Sequence, residues 1–201
     1  QLLNNRDLSK IIGQIDINIA DWLPKVEKLW ANIVSRILPL DMQHQQQTNW
    51  CWSAVGTSVG LFFQTGSWTQ CDTADGCLHR ADCCNKPVPG PCNVYGYLDQ
   101  SLTYTESFNR MFSGTATTSQ IEDQINLGYP VCVRVAWNTS GAHFLAIVGY
   151  SYPDSDPDDV TIYLRDSIYG ETTMPYADFP AHYHGGGTWT HTYYTERDHT
   201  S

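Results

Sequence analysis

"QQQTNWCWSAVG", Gln45 to Gly56, sets one cysteine between two tryptophans, behind a run of amides and ahead of small and apolar residues. Downstream of Cys51 the apolar positions Trp52, Val55, Val59 and Phe62 keep three- and four-residue steps, which predicts a buried helix that starts at the cysteine and stops at Gly66. The cysteine then occupies the first helical turn, where unpaired backbone N–H groups and the helix dipole favour a thiolate. An inert buried thiol, a half-cystine and a nucleophile are the three readings of such a residue, and its sequence partners decide among them.

Cysteine arithmetic narrows the choice. The chain has seven cysteines, five of them between Cys71 and Cys92, so an oxidising extracellular setting is expected. If all the others were paired, six would make three disulfides and one would be left over, and Cys51 stands apart from the cluster. Connectivity among Cys71, Cys77, Cys83, Cys84, Cys92 and Cys132 is open, with Cys132 either pairing with the odd member of the cluster or standing as a free core thiol. Spacings of six, six, one and eight lack the paired short gaps of a zinc ribbon, which favours disulfides over metal.

Around this centre the chain divides by pattern. From Asp7 to about Leu38 the residues Trp22, Val26, Trp30, Ile33 and Ile37 repeat with helical spacing, with Asp21 as cap and Pro24 in the first turn. Residues 1–40 are therefore expected to form an N-terminal helical arm, either a pro-segment or an integral layer. Residues 41–115 read as a helical lobe with a loop-rich, cysteine-held stretch over 65–97, and residues 116–201 as a β lobe. In the latter, Ser119 and Glu122 have capping-box spacing and Gly128 a C-terminal stop. "PVCVRVAW", "HFLAIVGYSY", "VTIYLRDS" and "GGGTWTHTYYT" are strand-like, the middle two joined by "PDSDPDD" as a hairpin tip. Helices first and an antiparallel sheet after predict an α+β fold with two lobes.

At 201 residues, folding hides roughly 70% of the unfolded surface, enough for a core without metal. Asp and Glu number 21 against 11 Lys and Arg, an excess that disfavours nucleic acid as a partner. No stretch reaches the roughly 18 continuous apolar residues of a membrane span, so no membrane association is expected.

A nucleophilic Cys51 needs an imidazole and a group to orient it. His143 heads the strand-like "HFLAIVGY", and Asp166 ends the next strand at "YLRDSIYG", so an antiparallel pair brings the two together. A side-chain amide upstream, Gln45 or Gln47, would join the Cys51 N–H in binding a developing oxyanion.

"Q-Q-Q-T-N-W-C-W-S-A", "A-H-F-L-A-I-V-G-Y" and "R-D-S-I-Y-G" together resemble the three catalytic segments of the papain-like cysteine peptidases, in the order Cys, His, Asp. The likeness spans roughly residues 41 to 195 and is greatest to the secreted bacterial branch, which includes plant-pathogen effector proteases and relatives of the bacteriocin-processing peptidases. It implies a papain-like two-lobed fold and catalytic Cys51, His143 and Asp166, with Gln45, six positions before the nucleophile, lining the oxyanion hole. Three positions depart from papain itself. Asp166 stands in place of an asparagine, Thr48 in place of an extra cysteine, and Ile168 with Tyr169 in place of the tryptophan that shields the third residue.

The expected activity is thus that of a secreted endopeptidase acting on protein or peptide through an acyl-enzyme, without cofactor. Two alternatives share its residues: a transglutaminase-like or deamidating acyl transferase, and a disulfide-stabilised binding protein or toxin with an idle triad. The acidic "PDSDPDD" lacks the glycine and terminal glutamate of a calcium loop, and His182 with His184 lacks further ligands, so no metal is assigned.

Overall fold

A computed structural model describes residues 32–197. The stripe of Trp22, Val26 and Trp30 lies outside the described residues. Its continuation does not: Ile33–Ile37 is a strand, β1, antiparallel to Tyr150 and its neighbours, with Ile33 opposite Pro153 and Ile37 opposite Gly149. Residues four apart fit a helix, but Ile33, Val34 and Ile37 are β-branched and find an open sheet edge, so pairing overrides the helical spacing.

The helical side begins with α1, Cys51–Phe63, which ends two residues before the expected stop because Gln64 adopts the left-handed cap (φ 57°). Within the stretch expected to be loop, Gln70–Leu78 forms a helix, α2. Thr69 caps it by accepting from the Asp72 N–H, and α2 docks on α1 through the Thr57–Thr73 hydroxyl pair (2.8 Å) and the Ser53 hydroxyl donating to the Gln70 carbonyl (2.7 Å). A third helix, α3, Leu98–Tyr104, packs against both α1 and α2.

Phe108–Ser113 is the strand β2, so the sheet reaches back into the segment assigned above to the helical lobe. Helix α4, Thr118–Leu127, carries its capping box at Thr117 and Gln120 rather than Ser119 and Glu122. Thr117 accepts from the Gln120 N–H and the Gln120 amide accepts from the Thr117 N–H, which fixes the first turn two residues earlier. Gly128 closes it with φ 90°, as the sequence predicts.

The expected strands follow as β3 (Val131–Trp137), β4 (Ala142–Pro153), β5 (Thr161–Asp166) and β7 (Gly187–Thr195), with β6 (Gly170–Pro175) added between the last two. All pairings are antiparallel, in the order β2-β7-β3-β4-β5-β6. β4 is long enough to serve two partners along one edge: β3 takes Ala142 to Ile147, and β1 takes Gly149 to Pro153. Gly149 is needed there because a Cβ would stand 2.7 Å from the Arg36 carbonyl oxygen. The core joins both sides, with Trp52, Val55 and Val59 of α1 in the same buried cluster as Val133, Leu145 and Ile147. This is the α+β arrangement of helices packed on an antiparallel sheet.

Two disulfides, Cys71–Cys84 and Cys83–Cys92, hold the cysteine-rich segment; Cys51, Cys77 and Cys132 are free, so three bridges do not form among the described residues. The four Asp of "PDSDPDD" are exposed at the β4–β5 tip. Among the described residues no helix is long and apolar enough to cross a membrane.

Candidate active site

Cys51 is the first residue of α1, buried, behind an N-cap (Trp50) that offers no side-chain acceptor. The first-turn N–H groups are therefore not blocked by a capping side chain, and the dipole acts directly on the sulfur. The preceding loop is anchored from several sides. Asn93 accepts from the Asn49 N–H at 3.0 Å and donates to the Thr48 hydroxyl at 2.9 Å, while the Asn49 amide donates to the Asn93 carbonyl at 2.9 Å. The Trp50 indole N–H donates to the Cys92 carbonyl at 2.7 Å. Polar bonds thus tie Thr48 and Asn49 to the turn fixed by the Cys83–Cys92 bridge, at the position where papain has its extra cysteine.

His143 and Asp166 come from neighbouring strands. The β4–β5 register sets Leu145 opposite Asp166, and His143 shares the Leu145 face of β4, so the imidazole and carboxylate meet on the diagonal. Nε2 lies 2.9 Å from Asp166 Oδ1, with both side chains buried. Burial alone would lower the histidine pKa. The hydrogen bond to Asp166 and then that with Cys51 outweigh it, pushing His143 up to about 9. With Nε2 committed to the carboxylate, Nδ1 is the nitrogen left for the sulfur. Burial would likewise raise Asp166, but the His143 hydrogen bond and charge, followed by the Ile168 and Tyr169 N–H groups, hold it below the usual carboxylate range.

Gln45 is buried beside this pair. Its backbone N–H donates to the Ser167 carbonyl (2.9 Å), and its Oε1 accepts from the Ser167 hydroxyl (3.1 Å). Its Nε2 donates to the carbonyls of Gln47 and Thr48, both at 2.9 Å, so in this conformation the amide braces the loop that leads to Cys51. Of the two glutamines the sequence leaves open, Gln45 is the one bonded to the segment after Asp166. A residue with no sequence signal holds the same loop: Gln70 of α2, fully buried, accepts from the Gln46 N–H and donates to the His44 carbonyl, each at 2.9 Å.

The shield over the histidine combines Tyr169, which stands where papain has its shielding tryptophan, with two residues that carried no such mark, Trp137 and Tyr183. Trp137 lies near-parallel to the imidazole (centroids 5.9 Å apart, 19°), Tyr169 meets it edge-on at 6.2 Å, and the buried Tyr183 hydroxyl donates to Asp166 Oδ2 at 2.8 Å. His182 pairs loosely with Asp178 and His184 stacks on Tyr169, so these two histidines have different partners. The cysteine–carboxylate clusters among the described residues are built on sulfurs already bonded to one another.

A groove of about 750 Å³ opens at Cys51. Tyr95, Gly96 and Tyr97 form one wall and the sheet face bearing Arg134, Phe144 and Tyr193 the other. Gly96 passes so close to the Trp52 indole that any Cβ there would collide with the ring. A thiol, an imidazole aimed by a carboxylate, and an open cleft beside them can attack and release an acyl group.

The family model described as "Peptidase_C39 like family" matches residues 37–195. No curated protein matches the chain. Among solved structures, a double glycine motif protease from an AMS/PCAT transporter, in complex with its leader peptide, aligns with 12% identity and a TM-score of 0.46 over 80% of this chain and 94% of that one.

Proposed function

This chain belongs to the Peptidase_C39 like family and is a papain-like cysteine protease, and on that premise we propose that it cleaves peptide bonds with Cys51 as nucleophile, His143 as proton carrier and Asp166 as orienting carboxylate. The observation that carries this reading is the line from the free thiol at an uncapped helix N-terminus, through His143, to the buried Asp166. An imidazolium that persists to about pH 9 is the charged partner a thiolate needs. The sulfur attacks the peptide carbonyl carbon; the Cys51 N–H stabilises the oxyanion, and Gln45 joins it by exchanging one of its two loop carbonyls for the substrate oxygen. His143 then gives its proton to the departing amine, and the acyl-enzyme is released when His143 takes a proton from water.

The volume of the groove and its aromatic wall favour an extended peptide as substrate. Two bridges in a short, otherwise weakly patterned segment favour an oxidising, extracellular location. Cleavage of a peptide library by the wild-type chain and by Cys51→Ala tests the chemistry: products should appear only with the wild type. Transfer of the acyl group to an added amine in preference to water would make the enzyme a transferase, and turnover that survives Cys51→Ala would remove the triad.

A further inference from the structure

Asp166 is held by four donors, and one of them comes from neither β4 nor the turn that follows β5. Oδ1 accepts from His143 Nε2 (2.9 Å), the Ile168 N–H (2.7 Å) and the Tyr169 N–H (3.1 Å). Oδ2 accepts from the Tyr183 hydroxyl (2.8 Å), which belongs to the segment between β6 and β7. The tyrosine ring is itself fixed: near-parallel to Trp137 (6.2 Å, 21°), edge-on to Tyr169 (6.2 Å) and against Phe179 (5.6 Å), with its backbone N–H on the Pro180 carbonyl. Trp137 touches the imidazole with near-parallel geometry as well, so one indole spaces both the histidine and the tyrosine that hold Asp166 between them.

The geometry points to Tyr183 as a positioning residue that clamps the second oxygen of Asp166 and so fixes the aim of His143 at Cys51. This rests on the triad proposed above. A carboxylate gripped only at Oδ1 can rotate about its Cβ–Cγ bond and exchange oxygens; with Oδ2 tied to a rigid ring it cannot. The hydroxyl also draws negative charge away from Oδ1, which moderates how firmly the carboxylate holds the imidazolium proton. Burial, followed by the charge of Asp166, pushes the phenol well above its ordinary range, so at neutral pH it is a donor. The titratable groups facing the pair are Cys51 from α1, Tyr169 from the turn after β5, Tyr183 itself and, behind the two tyrosines, His184, whose ring meets Tyr183 edge-on at 4.4 Å and stacks on Tyr169; Trp137 contributes only an apolar face.

Tyr183→Phe in the full chain keeps the ring contacts and removes the clamp. The measurement is the ring titration of His143 by NMR on histidine-labelled protein, assigned by its loss in His143→Gln, together with kcat and KM against pH. The His143 midpoint and the alkaline limb should both rise by roughly half a unit to one unit, because an undispersed carboxylate holds the proton more tightly. kcat should fall roughly tenfold with KM little changed, since aim rather than binding is lost. In an Asp166→Asn background the same substitution should add nothing. Fluorinated tyrosine at 183, a stronger donor in the same shape, should move the midpoint down, which covers the case in which phenylalanine compromises folding. An unmoved His143 titration in folded Tyr183→Phe, or in the fluorinated protein, would overturn the clamp. A moved titration in an enzyme whose turnover survives Cys51→Ala would leave the clamp standing and remove the triad instead.

Discussion

Gln45 and Ser167 are joined twice, backbone N–H to carbonyl at 2.9 Å and hydroxyl to side-chain Oε1 at 3.1 Å. One residue belongs to the loop that delivers Cys51 and the other directly follows Asp166, so this double bond couples the two halves of the site across 122 residues of sequence. Ser167 is fully buried, and replacing it with alanine leaves the Gln45 oxygen without its donor in a place that water does not reach. Ser167→Ala should cost about 1–3 kcal/mol of stability and lower kcat/KM by more than Gln47→Ala does. Denaturant titration and peptide turnover of the two variants check this. Equal losses would mean that the tie does not serve the site.

The His143–Asp166 pair gives a pH dependence of known sign. His143 is raised from its ordinary value of 6.5 to about 9, so its stabilising contribution is complete below about 6.5 and disappears as pH climbs through about 9. Asp166 is depressed, so its side of the same pair is present above about 4 and lost only as pH falls below that. The melting temperature should therefore decline on the alkaline side between about 6.5 and 9 in the wild type, and Asp166→Asn should flatten that decline. Activity, which needs the imidazolium, should have its alkaline limb near pH 9. An alkaline limb near 6.5 would show that the carboxylate does not hold the proton.

What could be read in advance follows from which interactions are local. Cys51, His143 and Asp166 were legible because each stands at the head or end of a strongly patterned element, and the β4–β5 register brings the last two into contact. Gly128 was legible because only a left-handed stop suits it. Ile33 and Ile37 misled because a four-residue interval serves a helix face, while the strand they form depends on an edge of β4 more than 100 residues away. The capping box was displaced by two residues because Ser119 with Glu122 and Thr117 with Gln120 satisfy the same pattern, and only the hydrogen bonds choose. Tyr183, Gln70 and Ser167 carried no signal at all: a buried polar residue is recognised by its partner, and those partners are distant in sequence.

The two disulfides should differ in what their loss does. They close loops of 13 and 9 residues, so by loop-closure entropy each contributes about 3 kcal/mol, and removing either lowers the melting temperature by the order of 10 °C. Cys92 holds the nucleophile's neighbours directly, since its carbonyl receives the Trp50 indole and the next residue, Asn93, holds Thr48 and Asn49, whereas Cys71 reaches that loop only through Gln70 beside it. Cys83→Ser with Cys92→Ser should therefore reduce kcat at a temperature where the protein is still folded. Cys71→Ser with Cys84→Ser should reduce stability by a similar amount with a smaller effect on kcat. Calorimetry alongside turnover separates the two, and equal effects on kcat would mean that the Cys92 turn is not the brace.

β1 lies at the far end of β4 from the site. Its partners are Gly149 to Pro153, six to ten residues beyond His143, which at the rise of a strand is about 20–33 Å. It is also integral: five ladder positions are followed by the Leu38 N–H on the Val148 carbonyl (2.8 Å) and by the buried side chains of Leu38 and Leu40. Two shortened chains isolate its contribution, one starting at Asn32 and one starting at Leu38. The second should melt well below the first, because it loses a strand and exposes an edge of β4, while kcat per folded molecule should be the same in both. Asn32 itself sits at the β4–β5 tip, its carbonyl receiving the Asp154 N–H at 2.8 Å, eleven residues beyond His143. Turnover of the intact chain against the chain starting at Asn32 measures any control of the groove by residues 1–31 directly: a rise on shortening means that the arm restrains the enzyme, and equal rates mean that it does not. A fall in kcat on removing β1 from a still-folded protein would contradict the separation of strand and site.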